Sequence, residues 1–109
     1  MLTIEEIRKR IKPICEHYNV KKAILFGSYS KGNATENSDV DLYFDSGVKG
    51  LKFVEMIENI REVLEDKEID ALDKTHISED SLIAMEIKNT GVELYAKWNH
   101  HRKNDSLYK

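Results

Sequence analysis

Apolar residues recur at helical spacing near the start of the chain. Over Thr3–Tyr18 they form one face, which comprises Ile4, Ile7, Ile11, Ile14 and Tyr18, and this periodicity predicts an amphipathic helix. Thr3 and Glu6 have the spacing of a capping box, in which each side chain bonds a free backbone N–H of the first turn. Pro13 removes one intrahelical hydrogen bond, so the sequence also predicts a kink or an early end there.

Two further stretches are predicted to be helical. Leu51–Asp66 forms a second long helix, with an apolar face traced by Leu51, Val54, Ile57, Leu64 and either Ile60 or Arg61. Ser78 can cap a third helix that extends through Asn89. Gly91 then stands where a left-handed residue often ends a helix.

Shorter runs of apolar or alternating residues predict strands. Four such runs are Lys22–Phe26, Asp39–Phe44, Glu68–Leu72 and Val92–Ala96. The residues between the first two, Gly27–Asn37, predict a turn and a short helix, and residues 46–50 predict a loop. The alternation of helices and strands predicts an α/β or α+β fold in which helices cover a sheet. We expect one domain over residues 1–96 and a polar tail over residues 97–109.

Composition narrows the class of protein. A chain of 109 residues with 40% hydrophobic and 34% charged residues fits one globular domain. The net charge of −3 argues against nucleic acid as the main partner, because duplex binding usually needs a basic face. Cys15 is the only cysteine, which excludes an internal disulfide. The sequence contains no apolar run of about 20 residues and no signal-peptide pattern, so we expect a cytoplasmic protein without a membrane span.

Two carboxylates lie close together in the second predicted strand. Asp39 and Asp41 project from the same face because strand side chains alternate. Carboxylates so close repel each other unless a cation lies between them, and Mg²⁺ binds one or two carboxylates together with substrate phosphates. Asp70 could complete the set if its strand lies beside the first, although Asp73 is only three residues away. The alternative is a pair of acids on the solvent face of an edge strand.

A small-residue turn follows the first predicted strand. Gly27 allows the backbone to approach a phosphate closely, and the Ser28 hydroxyl adds a donor. The alternative is an ordinary strand-ending turn. A P-loop is excluded, because Asn33-Ala34 stands where Lys-Ser/Thr is required. An EF-hand that begins at Asp39 also fails, because its required glycine and glutamate are replaced.

The two motifs and the spacing between them are together more specific than either motif alone. Gly27-Ser28, ten intervening residues and then Asp39-x-Asp41 resemble the signature of polymerase-beta-like nucleotidyltransferases, and the small size resembles the minimal nucleotidyltransferase (MNT) group. The resemblance implies a polymerase-beta-like palm, a small mixed sheet flanked by helices, that uses a nucleoside triphosphate and two Mg²⁺ ions. It assigns the triphosphate to Gly27 and Ser28 and the metals to Asp39, Asp41 and Asp70. Lys31 stands near where the family often has Arg, which keeps the charge without the bidentate fork.

The resemblance also implies a partner and a reaction. Proteins of this group resemble the antitoxin half of HEPN/MNT toxin–antitoxin modules, which implies transfer of AMP from ATP to a tyrosine of a HEPN toxin. Asp70 could accept the proton of the acceptor hydroxyl or orient a metal. Two other functions stay open from the sequence. The chain could neutralise its partner by complex formation alone, or it could be the catalytic subunit that modifies a small molecule.

Overall fold

The computed structural model describes residues 1–97, which contain four helices and four strands. The helices are α1 (Ile4–His17), α2 (Gly27–Lys31), α3 (Leu51–Val63) and α4 (Leu82–Thr90), and a short 3₁₀ turn spans Lys74–His76. The strands are β1 (Lys22–Phe26), β2 (Val40–Asp45), β3 (Ile69–Asp73) and β4 (Val92–Ala96). The predicted tail, apart from Lys97, lies outside the described residues.

The four strands form one mixed sheet in the order β3-β2-β1-β4. β1 pairs antiparallel with both β2 and β4, whereas β2 and β3 are parallel. The parallel pair is connected through α3, as a parallel connection requires a crossover. The predicted α/β architecture, a small mixed sheet flanked by helices, is confirmed.

The main core fills the space between one face of the sheet and the helices α1 and α3. The core lies on one face because strand side chains alternate between the two faces of a sheet. In β2 the residues accordingly alternate between buried and half-buried. Fully buried side chains from the three elements meet in one cluster: Ile7, Ile11, Cys15, Leu25, Val40, Leu42, Phe44, Met56, Ile60 and Leu64. On the other face of the sheet, α4 packs against β1.

The predicted helix α1 is confirmed, and the early end that Pro13 could have caused is absent. The capping box of Thr3 and Glu6 is present, and the helix continues through Pro13 to His17 without an early end. Pro13 is exposed. The missing hydrogen bond therefore lies on the solvent side, where water can satisfy the unpaired carbonyl.

The predicted apolar face of α3 is wrong in its first half. Leu51 and Val54 are exposed, and the buried residues are Met56, Ile60 and Leu64. Helical spacing fits both sets, because apolar residues occupy more than one side of this helix. Only the position of the helix on the sheet selects the buried set.

The predicted N-cap of α4 and the predicted left-handed conformation of Gly91 are both wrong. Ser81, not Ser78, caps the helix by accepting from the Ala84 N–H. Gly91 is not left-handed, since its φ is −66°. A β-carbon at Gly91 would lie 2.3 Å from the carbonyl oxygen of Ile87 and 2.7 Å from Cγ2 of Ile24. Glycine is needed there because a side chain would collide with the last turn of α4 and with Ile24 of β1, although its φ is one that any residue adopts.

The described part of the chain contains no helix with the length and hydrophobicity of a membrane span.

Candidate active site

Two carboxylates meet on the open face of the sheet. In the parallel register of β2 and β3, Asp41 lies directly opposite Asp70, so both side chains leave the same face. Their carboxyl groups lie close enough to share a hydrogen bond when one of them is protonated. The nearby Asp73 is on the opposite face and buried, so the register selects Asp70 as the neighbour of Asp41.

The pKa of Asp41 is raised to about 6. Partial burial is the largest cause, followed by the negative charges of Asp70 and Asp39. Asp39 lies immediately before β2, which begins at Val40 rather than at the predicted Asp39, and its side chain is exposed. A carboxyl group that binds its proton this tightly lacks a compensating positive charge, so the site favours a cation.

Gly27 lies directly against the Asp41 carboxylate. Its φ is +71°, and a β-carbon built there would lie only 2.1 Å from Oδ2 of Asp41. Two independent constraints therefore require glycine at this position, namely the left-handed backbone and the carboxylate beside it. The register places Phe26, the residue before this glycine, opposite Asp41. The end of β1 and the start of β2 thus build one site.

Ser28 and the remainder of α2 form the side of the site beyond β1. The carbonyl of Gly27 accepts a hydrogen bond from Oγ of Ser30 at 2.9 Å, and the left-handed Gly32 ends the helix. Within residues 1–97 the Ser28 hydroxyl makes no hydrogen bond, so its donor is available to a ligand. The predicted turn with a short helix is confirmed.

Lys31 connects α2 to α4. Its Nζ lies 3.4 Å from Oε2 of Glu86, and both side chains are half-exposed. The charge of Glu86 also contributes to the raised pKa of Asp41, so this residue lies within electrostatic reach of the carboxylate pair. Sequence reasoning missed Glu86, because no local pattern distinguishes it from other acidic residues of α4. Only the packing of that helix against α2 brings it to the site.

The chemistry of the donor set fits a divalent cation that also binds phosphate. No three His, Cys, Asp or Glu side chains converge into a complete metal cluster within residues 1–97. Mg²⁺ needs no such cage, since it takes one or two protein carboxylates and completes its octahedron with water and substrate oxygens. Asp41 and Asp70 are a suitable pair of oxygen donors, and the absence of a side chain at Gly27 makes space for the Asp41 carboxylate itself.

Comparison with known families decides the class of this protein. The family model described as polymerase beta, nucleotidyltransferase matches residues 9–100. The chain belongs to this family. The resemblance inferred from Gly27-Ser28 and Asp39-x-Asp41 is therefore confirmed.

Individual nucleotidyltransferases extend the similarity. A Methanocaldococcus jannaschii protein named "Putative protein adenylyltransferase" is 36% identical over 95 residues, which are 85% of this chain and 99% of that protein. The protein adenylyltransferase MntA of Thermococcus cleftensis is 39% identical over 70 residues, which are 59% of this chain and 71% of that protein.

Solved structures of toxin–antitoxin complexes share the fold. A crystal structure of a toxin–antitoxin with AMP-PNP matches at a TM-score of 0.70 and 21% identity, covering 93% of this chain and 86% of that chain. The structure of a tri-AMPylated Shewanella oneidensis HEPN toxin in complex with MNT antitoxin matches at a TM-score of 0.65 and 18% identity. That match covers 97% of this chain and 87% of the other. At these identities the likeness establishes the fold.

Proposed function

We propose that this chain is a protein adenylyltransferase that transfers AMP from ATP to a hydroxyl, most simply a tyrosine, of a partner HEPN toxin, and so acts as an antitoxin. The observation that carries the proposal is the pair Asp41 and Asp70 set against Gly27 on an open sheet face. The relatives named protein adenylyltransferase and the complexes of an MNT antitoxin with a HEPN toxin support the reaction and the partner. Because ATP is the proposed substrate, we place the activity in the cytoplasm.

Each side of the site has a proposed role. Gly27, Ser28 and Lys31 hold the triphosphate, the glycine by close backbone approach and the other two by donors and charge. Asp39, Asp41 and Asp70 would hold the metals, which are two Mg²⁺ ions if this chain follows the family. When bound, Mg²⁺ would neutralise the triphosphate and lower the pKa of the acceptor hydroxyl.

The reaction is an in-line displacement at the α-phosphorus. The acceptor oxygen forms a bond to this phosphorus while the bond to the bridging oxygen of the β-phosphate breaks, and pyrophosphate leaves with the bonding electrons. The proton of the acceptor hydroxyl passes to Asp70 or to solvent. Asp70 suits the role because it is exposed beside Asp41 and can be reached by an acceptor.

A protein acceptor is supported by the surface of α4. Leu82, Ile83 and Met85 expose 84%, 41% and 54% of their surface in this helix of nine residues. Exposed apolar side chains grouped on one element often mark a protein contact. The same surface also supports a second function, in which the chain neutralises its partner by complex formation without catalysis.

Incubation with α-labelled ATP, Mg²⁺ and the product of the neighbouring gene tests the proposal. We expect label on the partner protein with the wild-type chain and its loss in Asp39→Asn or Asp41→Asn. Glu62→Gln, which neutralises an exposed acid of α3 away from the site, is the matched control and should label normally.

The other outcomes separate the remaining functions. A tight complex without label, unchanged by Asp41→Asn, would refute catalysis and support neutralisation by binding. Label that appears on a small metabolite instead of the partner would support a catalytic subunit for a small acceptor. Mass spectrometry of the labelled partner identifies the modified residue.

A further inference from the structure

A groove of about 680 Å³ lies on the same face of the sheet as Asp41 but does not include the carboxylates. Its floor contains Tyr43 and Asp45, which follow Asp41 at two-residue intervals along β2 and therefore share its face. Its roof contains Ala84 and Ile87 of α4. The groove begins about 7 Å from Asp41, given the rise of about 3.3 Å per strand residue.

The position of the groove relative to the phosphate-binding residues indicates its use. In an in-line displacement, the acceptor oxygen and the leaving pyrophosphate lie on opposite sides of the α-phosphorus. Gly27 and Lys31 lie beyond the end of β1 that is paired with Asp41. If they hold the triphosphate as proposed, the pyrophosphate leaves on that side. The groove extends from Asp41 in the other direction, towards Asp45 and Lys22. An acceptor therefore approaches through the groove.

The charge of the groove fits a polypeptide better than a triphosphate. Lys22 and Lys88 line it without an ion-pair partner within residues 1–97, and acidic side chains of the loop before α4, Glu79 and Asp80, line it as well. A polyanion would be repelled by such an acidic rim, whereas a protein segment can present both signs of charge. Apolar side chains between these charges, such as Ile24, offer surface for burial.

The groove is a built feature rather than a chance gap. At one end of the groove, Gly91 lies close to both the carbonyl of Ile87 and the side chain of Ile24. A β-carbon on residue 91 would collide with both and force them apart. Its other wall is linked by the ion pair of Lys74 and Asp45, at 4.0 Å.

We propose that this groove binds the segment of the protein substrate that carries the acceptor hydroxyl, with Lys22 and Lys88 contacting an acidic residue of that segment. The inference rests on the proposed function and deepens it, since it names the surface that selects a protein acceptor. It makes Tyr43, Ala84 and Lys88 specificity-determining residues that leave ATP binding unaffected.

Two variants test the proposal with the neighbouring gene product as the probe. Ala84→Trp fills the groove from α4, and Lys88→Glu reverses an exposed charge with little risk to folding. Glu62→Trp on the far side of the sheet is the control for an added indole. We expect both groove variants to raise the Kd of the complex and the acceptor KM by about tenfold. The Kd for Mg²⁺·ATP should stay within about twofold of wild type.

The outcomes are decisive in each case. If ATP binding weakens while the partner Kd is unchanged, the groove holds the nucleoside and the proposal is overturned. Unchanged values for both ligands overturn it as well. If the wild-type chain binds the partner but transfers no label, the proposed catalysis fails, while the partner Kd of the two variants still decides the role of the groove. If wild type neither binds nor labels the partner, both proposals are refuted.

Discussion

Gly27→Ala is the sharpest test of how the site is built, because the chain supplies its own control. Gly27 and Gly32 both have positive φ, +71° and +80°. A β-carbon at Gly27 would lie 2.1 Å from Oδ2 and 3.0 Å from Cγ of Asp41, whereas one at Gly32 would have no neighbour within 4 Å. The two substitutions therefore share the backbone strain and differ in the contact with the carboxylate.

The magnitudes follow from these two terms. A left-handed conformation destabilises the folded state of a non-glycine residue by about 1–2 kcal/mol. Replacing glycine also lowers the entropy of the unfolded chain, which offsets about 0.4–1 kcal/mol of that loss. We therefore expect Gly32→Ala to lower the free energy of unfolding by about 1 kcal/mol. At Gly27 the overlap adds the penalty of overpacking, about 1–3 kcal/mol. Gly27→Ala should then lose about 2–4 kcal/mol.

The effect on transfer should be larger than the effect on stability. To relieve the overlap, the carboxylate of Asp41 must move by about 1 Å, and a displacement of this size in a reacting group can cost about a hundredfold in rate. Gly32→Ala leaves Asp41 in place, so its rate should remain close to wild type. Urea unfolding followed by circular dichroism gives the stabilities, and labelling of the partner with α-labelled ATP gives the rates.

A double-mutant cycle isolates the contact. In an Asp41→Ala background the carboxylate is absent, so adding Gly27→Ala should cost no more stability than Gly32→Ala does. If Gly27→Ala destabilises equally with and without the Asp41 carboxylate, or matches Gly32→Ala in wild type, the close approach is not the reason for glycine and the reasoning fails.

Two further predictions concern the carboxylates. The raised pKa of Asp41, about 6 against an ordinary 3.8, means that without divalent metal the folded chain binds a proton more tightly than the unfolded chain. Stability should therefore fall as pH rises from about 4 to about 6 and then level off. Asp41→Asn should remove this slope and stabilise the metal-free chain at pH 7 by about 1 kcal/mol, after allowance for solvent screening. Urea titrations across pH measure this, and a slope that persists in Asp41→Asn assigns it to another group. Asp73→Ala should destabilise by about 2–4 kcal/mol, since the buried Asp73 accepts from the Ser46 N–H and hydroxyl at 3.1 and 2.5 Å and from Thr75. The exposed Asp80→Ala should cost much less, and equal losses by thermal unfolding would contradict this reading.

The opposite behaviour of Asp41 and Asp73 has one cause. Burial tends to raise the pKa of Asp73 too, but hydrogen bonds from Ser46 and Thr75 outweigh it and hold that pKa below its ordinary value. Among residues 1–97 Asp41 receives no such donors, and it faces Asp70 instead. The satisfied carboxylate of Asp73 anchors the end of β3 on the buried face, and the unsatisfied carboxylate of Asp41 on the opposite face is left for a ligand.

The sequence by itself determined the elements and the local part of the site. Periodicity located α1, α3 and the strands, because burial of one face leaves a repeat in the chain. Alternation along a strand placed Asp39 and Asp41 together, and Gly27 was recognised because turns and close backbone approach need glycine. The resemblance carried by these residues was sufficient to indicate the family.

Only the tertiary structure decided which distant residues join them. The choice between Asp70 and Asp73 depends on strand register, since a shift of one residue would turn every side chain to the other face. Glu86 reaches Lys31 because α4 packs against α2. Gly91 is explained by its close approach to Ile24 of β1 as well as to the carbonyl of Ile87, not by the left-handed turn that its position after a helix predicted. Each of these facts joins residues far apart in the chain, which local spacing does not encode.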